Sequence, residues 1–200
     1  MSYSKAFALA ALIGVSGFFG CASVNRVDPN TVTDLSGNWN DTDSRLVSEQ
    51  MITDCVSRPW LAAFKASHNG AKPTVIVGSI RNRSSEHIDT TTFSKNLERE
   101  LINSGLVRFV SNKEERSEIR EERNEQQANA SAATMKRLRQ ETGADFMLIG
   151  NIAQINDNSG GTTAKSYQVN LELHDMESTE KAWIGTKDIK KMVKKSSFGF

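Results

Sequence analysis

TVIVGSIRNRSSEHID, residues 74–89, joins a buried strand to a helix through an arginine-rich segment. The run at 74–80 is rich in β-branched residues and nearly free of polar ones, which predicts a central strand. Asp89 is a candidate N-cap, and the apolar residues after it recur every four positions: Phe93, Leu97 and Leu101. A strand that leads directly into an amphipathic helix indicates an α/β domain.

Further elements are predicted on both sides of this segment. Helices are predicted at 43–57 with Asp43 as N-cap, at 60–69, from Asn112 with Glu115 in a capping box, and from Ser131. Strands are predicted at 106–110, 146–152, 166–176 and 182–185, with a turn at 156–161. The fold class is therefore predicted to be α/β (α+β). We expect a small mixed, largely antiparallel sheet of about four to five strands, flanked by helices on one or both faces and ending in a C-terminal β-meander.

Residues 1–20 have the pattern of a lipoprotein signal peptide. Lys5 precedes an uncharged run at 6–19, which is long enough for a signal peptide but too short to span a bilayer. The run ends in Gly20-Cys21, and a small residue before a cysteine in this position resembles the bacterial lipobox. We therefore expect Cys21 to carry the lipid; an ordinary secretory signal that is cleaved elsewhere is the alternative.

The rest of the chain is expected to form one domain that a short tether joins to the lipid anchor. Residues 21–33 are predicted to be a lipid-anchored tether, which spans roughly 40 Å when fully extended. A single domain is predicted at 34–193, followed by a tail at 194–200. Ala22 and Ser23 follow the cysteine, and sorting signals of this kind suggest the outer membrane, with the domain facing the periplasm.

Composition and motifs argue against most catalytic and nucleic-acid functions. The 25 Lys and Arg residues are balanced by 24 Asp and Glu, so the excess of positive charge that nucleic-acid binding needs is absent. The three histidines are not spaced for a metal, and the sequence has no phosphate-binding glycine loop and no nucleophile elbow. We expect no enzymatic activity, no cofactor and no metal site.

A polar cluster follows the central strand and is the candidate partner-binding site: Arg81, Asn82, Arg83, Glu86 and His87. Ligands often bind at the carboxyl ends of strands in α/β sheets, and a guanidinium can bind a carboxylate through two parallel hydrogen bonds. Two interpretations remain open at this point. Arg83 binds a partner, or it holds its own loop by bonding nearby carbonyl groups.

The helix predicted from Asn112 has its charges sorted by sign. Its basic residues share one arc: Lys113, Arg116, Arg120 and Arg123. Glutamates occupy the opposite arc, and Ile119 is the one large apolar residue, so the helix cannot bury a wide face. It is interpreted as a solvated surface, a polar docking surface, or a helix that becomes ordered in an oligomer.

Two single residues are predicted to be structural. Cys55 lies on the inner side of the helix at 43–57 and is expected to be a buried, unpaired thiol. Trp39 is expected to be a core aromatic residue at the start of the domain, with an exposed interface anchor as the alternative.

Three segments together resemble the LpoB-type penicillin-binding protein activators: DLSGNWNDTDSR at 34–45, TVIVGSIRNRSSEHID at 74–89 and TGADFMLIGNI at 142–152. The resemblance implies an outer-membrane lipoprotein with a small α/β domain. It also implies a partner, a class A penicillin-binding protein, which is a bifunctional peptidoglycan glycosyltransferase and transpeptidase. In that family the activator binds a non-catalytic domain of the synthase, and the contacting Asn-Arg pair corresponds here to Asn82 and Arg83.

The tether differs from that family. Enterobacterial members carry a long, Pro-rich tether that reaches through the cell wall, whereas residues 22–33 here contain a single proline. Either the partner comes outward, or the periplasm is narrower, or the function has diverged. A structural lipoprotein that self-associates into an assembly or secretion scaffold is the alternative function, and Lys190, Lys191, Lys194 and Lys195 suit that interpretation.

Overall fold

The computed structural model describes residues 24–131 and 140–194. The elements in these ranges are α1 (Asp41–Ser57), α2 (Pro59–Ser67), β1 (Thr74–Arg83), α3 (Thr90–Asn103), β2 (Arg108–Phe109), α4 (Lys113–Asn129), β3 (Phe146–Ser159), β4 (Thr162–Asp175) and β5 (Lys181–Lys194). The predicted signal peptide, Cys21, most of the helix predicted from Ser131 and residues 195–200 lie outside the described residues. The chain divides into an N-terminal unit, described from Val24 to Thr31, and a folded unit that begins at Val32.

The five strands form one mixed sheet in the order β2-β1-β3-β4-β5. β1 is parallel to both β2 and β3, which is the arrangement that a strand–helix–strand connection produces. The pairs β3–β4 and β4–β5 are antiparallel and extend along nearly the whole length of these strands. The predicted α/β (α+β) class, the largely antiparallel pairing and the C-terminal β-meander are therefore confirmed.

The core lies between one face of the sheet and the helices. α1 packs against α3 and β5, and α3 also packs against β1. Inward-facing residues of alternate strand positions are buried: Val75, Val77, Leu148, Ile152, Val169, Leu171 and Leu173. The residues between them form an outer face that is partly exposed in the described part of the chain, with Gln168 on β4 and Ile184 on β5 among its exposed residues. Helices thus cover one face of the sheet, and the outer face is available for contacts.

Side-chain capping explains where α1, α3 and α4 begin, whereas α2 begins at Pro59 without a side-chain cap. Asp89 caps α3 by accepting hydrogen bonds from the N–H groups of Thr91 and Thr92, as the sequence predicts. The capping box of Asn112 with Glu115 at the start of α4 is also confirmed. At α1 the predicted N-cap is wrong. Asn40 is the cap and Asp43 is its capping-box partner three residues later, because both side chains satisfy each other's backbone N–H groups.

Four of the five strands are longer than the sequence pattern predicts, whereas the strand predicted at 106–110 is shorter and comprises only Arg108–Phe109. β1 continues to Arg83, and β3 continues to Ser159, so the predicted turn at 156–161 shrinks to Gly160 and Gly161. Both glycines have positive φ, +53° and +78°, which a tight turn between antiparallel strands requires. Residues 156–159 are polar, which favours a turn, but in the structure they are paired with β4.

Lys191 of β5 forms ion pairs that hold the start of the domain against the sheet. Its side chain is 10% exposed, and Nζ lies 2.6 Å from Asp34 Oδ1 and 2.6 Å from Asp43 Oδ2. Burial alone would lower the pKa of Lys191, but the two carboxylates outweigh it and raise the pKa. Lys191 is therefore engaged within its own domain.

Both single residues that the sequence marks as structural are internal. Cys55 is fully buried, and burial raises the pKa of its thiol to about 12, so it is a structural and unreactive group. Trp39 is half-buried and makes edge-to-face contacts with Phe93 and Tyr167, with ring centroids 5.9 and 5.7 Å apart. Its indole N–H donates to Ser44 Oγ at 2.7 Å. Trp39 therefore lies at the edge of the hydrophobic core.

Candidate functional site

A β-bulge in β1 determines which way the candidate residues point. Val77 pairs with Leu148 and Ile80 pairs with Gly150, so Gly78 and Ser79 together oppose the single residue between those partners on β3. Because side chains alternate along a strand, the extra residue shifts the alternation by one position. Val77 and Ile80 are therefore both buried although they are three positions apart.

The bulge sends Arg81 and Arg83 to the outer face of the sheet. Arg81 lies opposite Asn151 and Arg83 opposite Ala153 of β3, and both arginines are exposed. Neither guanidinium has a hydrogen bond or an ion pair within residues 24–131 and 140–194. The two side chains border a hollow of about 140 Å³ on the outer face, which Asn170 and Glu172 of β4 also line. This pair of free cations on a strand is the most distinctive feature of the site.

Asn82 organises the turn that follows the strand. Its Nδ2 donates to the carbonyl oxygen of Glu86 at 2.7 Å. Its Oδ1 accepts from the Ser84 N–H at 2.8 Å and from Ser84 Oγ at 2.7 Å. This side chain therefore makes three hydrogen bonds, all of them to its own loop. Asn82, and not Arg83, is therefore the residue that holds this loop by hydrogen bonds.

Glu86 joins the loop to the rest of the domain. Its carboxylate accepts from the Trp39 N–H at 3.1 Å, Gln154 Nε2 at 2.6 Å, Lys165 Nζ at 2.8 Å and the Tyr167 hydroxyl at 2.8 Å. Burial alone would raise the pKa of Glu86. The hydrogen bonds, of which that from Lys165 has the largest effect, outweigh burial, and the pKa is therefore lowered. The pKa of Tyr167 is raised, by burial and by the neighbouring carboxylate. Glu86 is thus a positioning residue at the centre of a polar cluster.

The five residues predicted for the site consequently fall into two groups. Arg81 and Arg83 are exposed on the outer face and His87 is exposed, whereas the side chains of Asn82 and Glu86 hold the loop in shape. Sequence reasoning missed the residues that hold Glu86: Trp39, Gln154, Lys165 and Tyr167. Those residues lie far from Glu86 along the chain, and the sequence carries no signal for the pairing beyond the apolar alternation of β4.

The charged helix α4 lies outside this site. It has no buried residue, and Ile119 is 47% exposed. Arg120 binds Glu141 through two hydrogen bonds of 2.6 and 2.7 Å, and Lys95 of α3 pairs with Glu115. The helix is therefore attached mainly by polar contacts at its surface, which agrees with the predicted lack of a wide buried face.

The described residues hold no group of three or more His, Cys, Asp and Glu that is arranged to bind a metal ion. In the same ranges, every helix is too short or too polar to cross a membrane. What the site offers is a pair of guanidiniums on a rigid strand end, next to a loop that is bonded in place. Such an arrangement suits recognition of carboxylates on another molecule.

A family model described as peptidoglycan-synthase activator LpoB matches residues 43–189. Among solved structures, the chain is similar to the LpoB C-terminal domain from Escherichia coli, with 15% identity, 67% of this chain and 100% of that chain covered, and a TM-score of 0.38. The NMR structure of E. coli LpoB shows 12% identity over 91% of this chain and 88% of that chain, with a TM-score of 0.42.

A dodecamer of PelC from Paraburkholderia phytofirmans shows 17% identity over 60% of this chain and 73% of that chain, with a TM-score of 0.36. TM-scores this low do not support a conclusion about this chain from any of the three structural similarities. A search among curated proteins finds no match for the chain.

Proposed function

The chain belongs to the LpoB family of peptidoglycan-synthase activators, and from this premise we propose that it activates a class A penicillin-binding protein by docking on it. The observation that carries the proposal is the pair Arg81 and Arg83, exposed, free of partners in the described residues and fixed on a paired strand. Its family is one of activators and not of catalysts, and we propose that the chain has no enzymatic activity of its own.

Activation requires that the protein bind one conformation of the synthase better than another. A partner shifts a conformational equilibrium only by the difference between its affinities for the two states. Typical couplings of about 1–3 kcal/mol change such an equilibrium by about 5- to 150-fold. A rigid docking surface suits this task, since little of the binding free energy is then lost in ordering the loop. The hydrogen bonds to Asn82 and Glu86 provide that rigidity.

This role is tested by adding the mature protein, in detergent, to its purified cognate class A synthase. We expect the rate of glycan polymerisation to rise about fivefold or more, the scale of a typical coupling. A synthase that lacks its non-catalytic domain is the control and should not respond. Equal rates with and without the protein would refute the activator role. A large self-assembled particle without stimulation would point to the scaffold alternative, which membership of an activator family does not favour.

We also propose that Cys21 carries the lipid and that the domain faces the periplasm from the outer membrane. The supporting features are the uncharged run at 6–19 and the Gly20-Cys21 pair. With this anchor the folded domain stays within roughly 40 Å of its membrane, so the synthase must present its docking region at that distance. Intact-mass measurement should show an acylated mature chain that begins at Cys21, and a Cys21→Ser variant should lose the lipid mass. An unmodified Cys21 would refute the anchor.

A further inference from the structure

Half of β1 is an edge strand, although β1 lies inside the sheet. β2 has two residues and pairs only with Thr74 and Val75. On the other side of β1, pairing with β3 continues to Arg83. From Val77 to Arg83, the side of β1 that faces β2 therefore has no neighbouring strand in the described part of the chain. We call this side the open edge of β1.

Space for an additional chain exists beside the open edge. A cavity of about 420 Å³ lies between β1 and the first turns of α3 and α4. Its lining includes the small residues Gly78, Ser79, Thr90, Thr91 and Ser94, together with large apolar residues such as Ile76 and charged residues of α3 and α4 such as Lys95 and Arg116. The loop after β1 does not fill this space, because Ser85 and Glu86 bond to Gln154 of β3, on the opposite side of β1. Neighbouring strands lie about 4.8 Å apart, and the cavity adjoins β1 at residues 76–79, where an added strand would begin to pair.

The charges next to the open edge specify the occupant. Arg81 and Arg83 stand on the outer face two positions apart, and a strand added beside β1 would place its same-face side chains about 5 Å from theirs. Glu172, the acidic residue of the adjoining hollow, is already paired with Lys181 at 2.9 Å. A second copy of this chain is a poor occupant, because antiparallel pairing of two such edges would bring the arginines of both copies together.

We propose that the open edge of β1 binds an extended segment of the partner as an added strand, with carboxylates at two alternate positions facing Arg81 and Arg83. Side chains on the other face of that segment are small or polar, since they meet Thr91 and Ser94 and the charged residues of α3 and α4 that line the cavity. Main-chain hydrogen bonds between the added strand and the open edge provide affinity, and the two ion pairs fix the register of the added strand. The proposal deepens the docking site of the proposed function and rests on it.

Hydrogen exchange of the mature protein, read by mass spectrometry with and without the class A synthase, tests this mode of binding. We expect peptides that cover 77–83 to exchange about tenfold more slowly in the complex, because free edge amides acquire acceptors. β5, the other long edge strand, is the internal control and should keep its exchange rate.

The outcomes separate this inference from the proposed function. A stable complex in which residues 77–83 exchange as in the free protein would overturn strand addition and leave the activator role intact. Protection at β5 instead of β1 would likewise overturn it. Absence of any complex would overturn the activator role and strand addition together.

Discussion

The double charge reversal Arg81→Glu/Arg83→Glu is expected to lower the affinity for the class A synthase about a thousandfold or more. Each lost pairing between a guanidinium and a desolvated partner carboxylate costs about 2–5 kcal/mol, and a tenfold loss of affinity corresponds to about 1.4 kcal/mol. Repulsion between the new glutamates and the partner adds to the loss. The thermal stability should hardly change, since both arginines are exposed and lack partners in the described residues.

Lys190→Glu/Lys194→Glu is the matched control for this variant. Both lysines are exposed on the outer face of β5, on the far side of the sheet, and the change in net charge is the same. Surface plasmon resonance at two salt concentrations should show a large loss for the arginine variant, a small one for the control and weaker wild-type binding at high salt. Equal losses for both variants would mean that only net charge matters, and the site would be wrong.

Glu86→Ala is expected to lower both the free energy of unfolding and the affinity for the synthase. The substitution removes the carboxylate that accepts hydrogen bonds from four donors, among them Lys165 Nζ and the Tyr167 hydroxyl. The loss is costly because the side chains of Glu86 and Lys165 are only 14% and 17% exposed. Removing one member of such a bonded pair costs about 2–4 kcal/mol. Urea unfolding measures the stability. If Glu86 instead contacted the partner directly, affinity would fall while stability stayed constant, and the positioning role would be refuted.

The stability contributed by Glu86 should depend on pH in a defined direction. Its pKa is lowered in the folded protein, so its contribution is present above the ordinary glutamate pKa, about 4.3, and is lost as the pH falls toward the folded value. Glu86→Gln removes the titrating group. The difference in unfolding free energy between wild type and this variant should therefore be full at pH 7 and should shrink below about pH 4. A difference that stays constant down to acid pH would contradict the assigned cause.

The sequence predicted the elements that depend on local pattern. The cap at Asp89, the capping box at Asn112 and the alternation along β4 follow from side chains close in sequence, and the structure has all three. The ends of β1 and β3 were not predictable in this way. Residues 156–159 are polar and pair with β4 only because the hairpin brings that strand alongside, so tertiary context overrides their turn propensity.

The partner-binding role of the cluster at 81–87 stays a prediction, and the contacts that its members make within the domain could not be predicted from the sequence. The sequence singles out Arg81 to His87, yet it does not reveal that Asn82 bonds to its own loop and that Glu86 bonds to residues of β3 and β4. Glu86 is satisfied by Gln154, Lys165 and Tyr167, which join it only through strand pairing over long sequence distances. A signal for the bulge does exist in the sequence. Val75, Val77 and Ile80 break the two-residue period at Gly78, and such a break at a glycine indicates a bulge.

Site-specific photocrosslinking in cells tests most directly whether the β1 end is the docking surface. A photoreactive amino acid at position 87, which is exposed and next to the arginines, should yield an adduct that contains a class A penicillin-binding protein. The same group at position 190 on β5 should yield none. An adduct with the synthase only from position 190, or an adduct from position 87 with a second copy of the chain, would contradict the assignment.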